Sequence, residues 1–246
     1  MIRLDKYLAD SGIGTRTEVK KIIGKGLVFI NGEMTRDPAA KVEPGTDSVT
    51  VSGKELNFST FEYYMLNKPA GIISASRKNS LKRGEKIACG EEKYAVDLIR
   101  ESVKTDLFPA GRLDKETEGL LLITNDGALA HRMLSPKNHV DKTYYVELDG
   151  KLRPEITELL EKGVDIGDEK LTLPCTVNPL FESSCLITIK EGRYHQIRRM
   201  FAACGLKVQY LKRITFGPLA LDTSLNPGEY RKLTGDELSD LKVSEN

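Results

Sequence analysis

The sequence predicts an α+β fold in which a small α/β module precedes a larger part that also combines strands and helices. Three observations support this class. The first 58 residues combine helical apolar faces with short strands. Leu120–Thr124 is typical of a buried strand, and Lys142–Leu148 alternates between two faces. Because a chain of 246 residues can form two modest domains, we expect one at residues 1–58 and another at 62–246.

Composition argues against several classes of protein. Charged residues make up 30% of the chain and hydrophobic residues 39%, as in ordinary globular proteins. No apolar run approaches the roughly 18 residues of a membrane helix, and the first ten residues are too polar for a signal peptide. The four cysteines and three histidines lack metal-ligand spacing, so we expect reduced thiols, a cytoplasmic location and no metal. The net charge of +1 does not by itself indicate a nucleic-acid partner.

The N-terminal module begins with two predicted helices. Leu4, Tyr7 and Leu8 share one face of the first helix. Thr15 and Glu18 fit a capping box that opens the second helix. The apolar positions of this second helix are Val19, Ile22 and Ile23.

Short strands follow in the same module. Val28–Ile30 is predicted as a strand closed by the Asn31-Gly32 turn. Val49–Val51 is predicted as a further strand, and Asn57–Phe61 as the linker to the second part.

Basic side chains are in excess in this module, with seven Lys or Arg against four Asp or Glu in the first 36 residues. Basic residues on a helix face are usually just solvated, so the pattern alone leaves RNA binding open. The segment MIRLDKYLADSGIGTRTEVKKIIGKGLVFINGE, however, resembles an S4-type RNA-binding module. The resemblance implies contacts with structured RNA through phosphates and shape, which give affinity rather than base identity.

The second part opens with Tyr63–Leu66, a predicted strand that runs into Asn67-Lys68-Pro69. Taken alone, this tripeptide only indicates a turn that leaves a strand. Ile72–Ser74 is predicted as another short strand and Val96–Val103 as a helix. The polar segment 77–92 is interpreted as a mobile surface loop.

Asp114 lies in a Gly-Arg-Leu-Asp loop just before the predicted strand Leu120–Thr124. A loop between two core strands is a rigid place from which to aim a side chain. Local sequence leaves two interpretations open, since loop aspartates often only cap turns. After the strand, Asn125-Asp126-Gly127 predicts a turn and Ala128–Leu134 a short helix.

The second half of the chain alternates predicted strands and helices. In Lys142–Leu148, Tyr144 shares a face with Val146 and Leu148, and a tyrosine at such a position usually packs in the core. Pro154 is placed near the start of a helix that Gly163 stops. The remaining predicted strands are around Leu171–Val177 and Cys185–Ile189.

A last amphipathic helix is predicted from near Tyr194 to a stop at Gly205. Its apolar face consists of Ile197, Met200, Phe201 and Cys204. Arg198 lies beside that face, while Arg199 points well away. An arginine at this edge either reaches solvent or pairs with a carboxylate, and the helix alone does not decide.

Five segments of the second part together resemble the pseudouridine synthases of the RsuA branch. They are Asn67-Lys68-Pro69, GRLDKETEGLLLITNDG, DKTYYVEL, EGRYHQIRRMFAACG and PGEYRKLT. The segments occur in the family's order and extend across nearly all of residues 62–234. The resemblance implies a mixed, mainly antiparallel catalytic sheet with helices on its outside and an RNA cleft across it. It also implies isomerisation of a uridine without a metal or other cofactor.

The resemblance assigns roles to individual residues. Asp114 matches the essential aspartate, Tyr144 the aromatic residue that stacks on the target base, and Arg198 the basic residue that pairs with the aspartate. Ile187 or Ile189 matches the aliphatic residue behind the base, and the sequence does not choose between them. The basic residues expected to contact RNA are Arg3, Lys6, Arg16, Lys20, Lys21, Lys68, Arg112, Arg193 and His195.

The leading hypothesis is an enzyme that isomerises a uridine of small-subunit ribosomal RNA, acting on the RNA or on an assembling subunit. FAACG and PGEYRKLT favour this branch over the same chemistry on large-subunit ribosomal RNA. The third hypothesis is a non-catalytic S4-type RNA-binding or ribosome-assembly protein. Intact Asp114, Tyr144 and Arg198 speak against it, because a pure binding module does not need them. No membrane and no small-molecule cofactor are expected as partners.

Overall fold

The three-dimensional structure, a computed structural model, describes residues 1–56, 61–75, 93–102, 106–135 and 138–243. The chain divides into two units. Met1–Glu62 and Glu101–Asp106 belong to the first, and Tyr63–Arg100 and Leu107–Asn246 to the second. Most of the predicted linker Asn57–Phe61 and the whole predicted loop 77–92 lie outside the described residues.

Within its described residues, the first unit contains two helices and two small sheets. Helix α1 spans Leu4–Asp10 and α2 spans Arg16–Gly24. The strands are β1 (Ile2–Arg3), β2 (Val28–Ile30), β3 (Glu33–Thr35), β4 (Lys41–Val42), β5 (Val49–Val51) and β6 (Lys54–Glu55). Strand β1 pairs with β4, and the other four form an antiparallel sheet in the order β3-β2-β5-β6.

The local sequence signals predicted for this unit are present in its structure. The Thr15 backbone N–H donates to Glu18 Oε2 over 2.7 Å, and the Glu18 N–H donates to Thr15 Oγ1 over 3.3 Å. The predicted capping box is therefore confirmed. Asn31 and Gly32 have φ values of 52° and 84°, as a two-residue hairpin turn requires. The core of this unit consists of Leu4, Tyr7, Leu8, Val19, Ile23, Val28, Val42, Val49 and Val51.

In the described part of the second unit, nine strands form one sheet. They are β7 (Tyr63–Lys68), β8 (Phe108–Pro109), β9 (Glu118–Thr124), β10 (Lys142–Leu148), β11 (Thr176–Phe181), β12 (Ser184–Ile189), β13 (Val208–Phe216), β14 (Leu219–Ala220) and β15 (Tyr230–Lys232). Their main order is β11-β12-β10-β13-β9-β7-β15, while β14 pairs with β13 and β8 with β9. The pairing of β13 with β9 is parallel and the others are antiparallel. A mixed, mainly antiparallel sheet is confirmed.

Helices cover both faces of this sheet. They are α3 (Gly127–Leu134), α4 (Pro154–Lys162), α5 (Gln196–Ala203) and α6 (Gly235–Val243), with a short 3-10 helix at Ala95–Leu98. Leu121 of β9 packs in a cluster with residues of α4 and α5, whereas its neighbour Leu120 packs in a second cluster with residues of α3 and α6. Successive side chains of a strand point to opposite faces, so the two clusters lie on opposite sides of the sheet. Within the described part of the chain, every helix is too short or too polar to cross a membrane.

Four predicted elements differ from the observed ones. The helix predicted at Val96–Val103 is the 3-10 helix Ala95–Leu98, with Ile99 extended and residues 103–105 outside the described part. The Arg100 N–H donates to the Tyr230 hydroxyl over 3.0 Å, so a tertiary contact replaces the next helical turn. The strand predicted at Ile72–Ser74 is reduced to a single bridge between Ile73 and Tyr94.

The other two differences are shifts of a boundary. The strand predicted at Leu171–Val177 begins only at Thr176. Thr172 exchanges hydrogen bonds with Val164 through its backbone N–H and its hydroxyl, which keeps the preceding segment out of the sheet. The helix predicted from near Tyr194 starts at Gln196, because His195 adopts a left-handed conformation with a φ of 48°.

Candidate active site

Asp114 sits in the loop that joins β8 to β9, and backbone hydrogen bonds hold this loop on both sides. The Leu113 N–H donates to Ser74 Oγ over 3.2 Å. The Thr117 N–H donates to the Asp114 carbonyl over 3.0 Å, and the Gly71 N–H donates to the Lys115 carbonyl over 2.9 Å. The carboxylate of Asp114, with a third of its side chain exposed, projects from a fixed backbone.

Lys68 is the main support of this loop. Its Nζ donates to the carbonyls of Pro69, Lys115 and Thr117 over 3.0, 3.0 and 2.8 Å. The residue is 0% exposed, and burial lowers its pKa to about 8. The prediction that Lys68 contacts RNA is therefore wrong. An ammonium group has three donors, and all three are used inside the protein.

The floor of the site comes from the sheet. Tyr144 of β10 pairs with Ile187 of β12, and its side chain is largely buried. Ile189, two residues further along β12, lines the same cavity as Tyr144 and Asp114. Both isoleucines left open by the sequence belong to the same hydrophobic core, and Ile189 is the one that also lines the cavity.

The facing wall is the turn that leads into α5. His195 Nε2 lies 3.6 Å from Asp114 Oδ1. Arg198 lines the same cavity, but its Nη1 donates to the Val208 carbonyl over 3.2 Å. Both Arg198 and Asp114 are among the described residues, and the ion pair predicted between them is not formed in this structure. The basic side chain that approaches the Asp114 carboxylate in this structure is instead His195, which was predicted to contact RNA.

These segments enclose one small cavity of about 80 Å³. It is lined from the Asp114 loop by Arg112, Leu113, Asp114 and Thr117, from the sheet by Tyr144, Ile189 and Leu211, and from the facing turn by Gly192, Arg193, His195, Gln196, Ile197 and Arg198. The hydroxyl of Thr117 is buried and has no hydrogen-bond partner among the described residues. A buried polar group of this kind is usually satisfied by a partner or a ligand.

A network of charged side chains fixes the turn itself. Arg193 donates to Glu191 and to the carbonyls of Lys170 and Leu171, over 3.0, 2.7 and 2.7 Å. Arg193 also lies 3.5 Å from Asp168, whose pKa is lowered chiefly by its hydrogen bonds to Arg199. Arg193 therefore serves to anchor the turn, and in this structure its guanidinium is committed to the protein rather than free for RNA as predicted.

The predicted basic residues of the first unit lie on the outside of its two helices. Lys6, Arg16, Lys20 and Lys21 are exposed. Arg3 is also exposed but forms a two-bond ion pair with Asp5, at 3.0 Å for each bond. Lys20 contributes to the lowered pKa of Asp5 after the larger effect of Arg3, so basic groups of both helices share one region. Their contacts with RNA stay predictions, as does that of Arg112.

The described residues contain no cluster of His, Cys, Asp or Glu suited to hold a metal ion. Burial raises the pKa of the Cys185 thiol to about 11, so this thiol is neither a ready nucleophile nor a metal ligand. Among the residues that line the cavity, Asp114 carries the carboxylate.

Sequence reasoning missed three features of the site. It gave no role to Gln196, which is buried and accepts the Arg193 N–H while donating to Glu191. It also missed the buried hydroxyl of Thr117 and the approach of His195 to Asp114. The position of Gln196 at the start of an apolar helix is a local signal for its role in the turn. The left-handed backbone of His195 has no local signal in the sequence.

A helical module with exposed basic residues, joined in one chain to a mixed sheet with a cavity-facing carboxylate, fits an enzyme that modifies RNA. Residues 62–203 match the family described as RNA pseudouridylate synthase, and residues 2–48 match the S4 domain. The chain belongs to the RNA pseudouridine synthases of the RsuA type, and it is an isomerase that acts on RNA.

Relatives of nearly equal length support this assignment. The chain is 44% identical to an uncharacterized RNA pseudouridine synthase, YtzG, of Bacillus subtilis, covering 96% of this chain and 97% of the relative. It is 37% identical to ribosomal small subunit pseudouridine synthase A of Vibrio cholerae and of Escherichia coli, covering 98% and 97% of this chain and 99% of each relative. A crystal structure of a pseudouridylate synthase matches with a TM-score of 0.67 and 34% identity over 98% of this chain and 100% of the other.

Proposed function

We propose that this enzyme isomerises a uridine of small-subunit ribosomal RNA to pseudouridine, with Asp114 as its catalytic carboxylate. The main observation that supports this proposal is that Asp114, Tyr144 and Arg198, from three distant segments of the chain, line one cavity. The choice of RNA rests on the relatives named ribosomal small subunit pseudouridine synthase A. Acting on the small-subunit RNA or on an assembling subunit fits a chain that carries an S4 domain.

The proposed reaction needs few groups because it is an isomerisation. The bond between the ribose and the uracil nitrogen breaks, the uracil turns, and a carbon–carbon bond forms to C5, whose proton is released. No electrons are gained or lost overall. Asp114 serves as the nucleophile that attacks the sugar or the base, or as the base that removes a proton to start elimination. Each of these roles requires a carboxylate held in place, which the contacts of Lys68, Ser74 and Gly71 supply.

The remaining cavity residues hold the uridine in this proposal. The target must leave its stack, at a cost of a few kcal/mol. Stacking on Tyr144 offsets part of that cost, and Ile189 supports the base from the sheet. The buried hydroxyl of Thr117, which has no hydrogen-bond partner among the described residues, is a further polar group at the cavity for an atom of the nucleoside. Arg198 adds a positive charge to the wall of the cavity that receives the uridine.

Asp114→Asn tests the catalytic role directly. The amide has nearly the same shape as the carboxylate, so folding and RNA affinity should change little, while turnover should fall by about 10⁴-fold or more. Tritium release from C5-labelled uridine in RNA measures turnover. Asp236→Asn, on the exposed start of α6, is the matched control and should keep full activity. Ordinary turnover in Asp114→Asn would refute the assignment.

Mapping pseudouridines in ribosomal RNA from a strain that lacks the protein tests the substrate. Loss of a single pseudouridine from small-subunit RNA, restored by the wild-type protein but not by Asp114→Asn, is the expected result. Loss from large-subunit RNA instead would keep the chemistry and change the substrate. No change in either RNA would remove ribosomal RNA from the proposal.

A further inference from the structure

The turn before α5 presents a stacked pair of aromatic rings at the edge of the cavity. The rings of Tyr194 and His195 lie 3.9 Å apart with an angle of 16° between their planes. His195 occupies the inner position, 3.6 Å from Asp114, and lines the cavity. Tyr194 occupies the outer position with 75% of its surface exposed. One face of the Tyr194 ring is covered by His195 and the other is open.

The fold supports this arrangement from several sides although Tyr194 contributes little to the core. Arg199 Nη1 donates to the Tyr194 carbonyl over 3.1 Å. The Arg193 N–H donates to Gln196 Oε1 over 3.0 Å, which closes the turn from the other side. Side-chain contacts of Arg193 and Arg199 with the segment 166–171 fix the same backbone. An exposed ring on so well anchored a turn is preorganised for contact with a partner.

The strained backbone of His195 also supports a functional role for this turn. His195 has a φ of 48°, a conformation that costs a non-glycine residue free energy. Two of the other residues with positive φ, Asn31 and Ser52, lie in two-residue hairpin turns that require it. His195 lies in no hairpin. Its strained backbone is what brings its ring against Tyr194 on one side and Asp114 on the other.

We propose that the Tyr194–His195 pair is a stacking platform for an unpaired base of the RNA that flanks the target uridine. The proposal rests on the proposed function only in that the uridine enters the Asp114 cavity. A uridine that leaves its stack exposes the faces of its neighbours, and aromatic side chains bind such faces whatever the base. Tyr194 is next to His195 but outside the cavity lining, so its open face can receive the nucleotide that follows the uridine. His195 couples this platform to Asp114.

Replacement of Tyr194 tests the platform with full-length enzyme and the RNA that it modifies. In Tyr194→Ala, the KM for RNA should rise about 5- to 150-fold, the range expected for loss of one base stack, while kcat should stay within about threefold. Tyr194→Phe keeps the ring and should behave as wild type. Phe181→Ala is the matched control, because Phe181 is 77% exposed on β11 and lies away from the cavity lining.

Fluorescence then locates the contact. An RNA fragment with 2-aminopurine next to the target uridine should be quenched on binding to wild type, Tyr194→Phe and Phe181→Ala, but not to Tyr194→Ala. A wild-type KM together with undiminished quenching in Tyr194→Ala would overturn the platform. That failure is distinct from failure of the proposed function, which shows as turnover by Asp114→Asn or as an unmodified small-subunit RNA.

Discussion

Lys68 shows how a single buried cation can organise an active site without touching the substrate. Its three donors meet three carbonyls, two of which belong to the loop that carries Asp114. Neighbouring Glu116, Glu118 and Asp114 favour its charged form, but desolvation is the larger effect and lowers its pKa. From the sequence, Lys68 was predicted only to lie in a turn after a strand and to contact RNA. Burial of that side chain is a property of the assembled sheet.

The lowered pKa of Lys68 predicts a pH dependence of stability that Lys68→Met removes. Between pH 8 and about 10.5 the unfolded chain binds a proton that folded Lys68 has released. The free energy of unfolding of the wild type should therefore rise with pH across this window relative to Lys68→Met, by up to about 3 kcal/mol. Below pH 8 both states bind the proton, so the difference between the two proteins should be constant.

Urea unfolding of the two proteins from pH 7 to pH 10 measures this difference. Other groups with shifted pKa values, such as Lys142, are present in both proteins and cancel. A difference that does not change with pH would mean that Lys68 titrates as it does in the unfolded chain. Lys68→Met should also lower kcat, because the carbonyls that fix the Asp114 loop lose their donor.

At the scale of elements, the parallel contact of β9 with β13 depends on Gly119. This residue has a φ of 98°, and a Cβ added to it would lie 2.2 Å from the Arg213 carbonyl oxygen. The Arg213 carbonyl and the Gly119 Cα that would carry the Cβ both belong to sheet backbone, so neither can move away cheaply. Gly119→Ala should destabilise the protein by about 3 kcal/mol or more, or prevent folding.

Gly127→Ala is the control for this prediction. Gly127 is the first residue of α3, and an added Cβ there meets nothing within 4 Å. Alanine at this position should leave stability unchanged or raise it by about 0.4–1 kcal/mol. Chemical denaturation of the two variants measures both effects. Equal stability of Gly119→Ala and wild type would contradict the close approach of the two strands.

Helices, strands and turns could be predicted where the interactions that determine them join residues close together in the sequence. The capping box at Thr15, the Asn31-Gly32 turn and the alternation of β10 are local, and the structure confirms them. The helix expected at Val96–Val103 was wrong because its continuation depends on a bond to Tyr230, distant in sequence. The start of β11 was misplaced for the same kind of reason, since Thr172 bonds to Val164 instead of entering the sheet.

At the scale of the whole molecule, the two units have separate cores. Among the described residues, the buried core of the first unit ends at Val51 and the core clusters of the second begin at Tyr63. Removal of residues 1–58 should therefore leave a folded second unit that keeps its chemistry at high enzyme concentration. The shortened protein should bind RNA more weakly, because it lacks the basic residues on the two helices of the first unit.

Measuring RNA affinity at several salt concentrations distinguishes a loss of phosphate contacts from a general loss of affinity. Each phosphate contact that is lost should reduce the slope of log affinity against log salt by roughly 0.7–0.9. Full-length and shortened protein are compared on the same RNA. Equal affinities and equal slopes would show that the first unit does something other than hold RNA.

The candidate site was predictable in its members more than in its contacts. Resemblance placed Asp114, Tyr144 and Arg198 together, and they do line one cavity. Their partners were not readable, because Arg198 bonds to Val208 and His195 takes the place beside Asp114. These contacts depend on how far α5 and its preceding turn reach across the sheet, which no local pattern encodes.

The parallel pairing of β13 with β9 also governs when a newly made chain becomes an enzyme. Arg213 Nε donates to the Leu120 carbonyl across 93 residues of sequence. At about 5–20 residues per second, β13 emerges from the ribosome roughly 5–20 s after β9. During that interval β9 has β7 on one side, while on the other side β8 pairs only with its end at Ile123 and Thr124. The rest of that apolar edge is open to wrong pairing. The Asp114 loop meets Tyr144 and His195 only when synthesis has passed α5, so each molecule gains its active site late in its own translation.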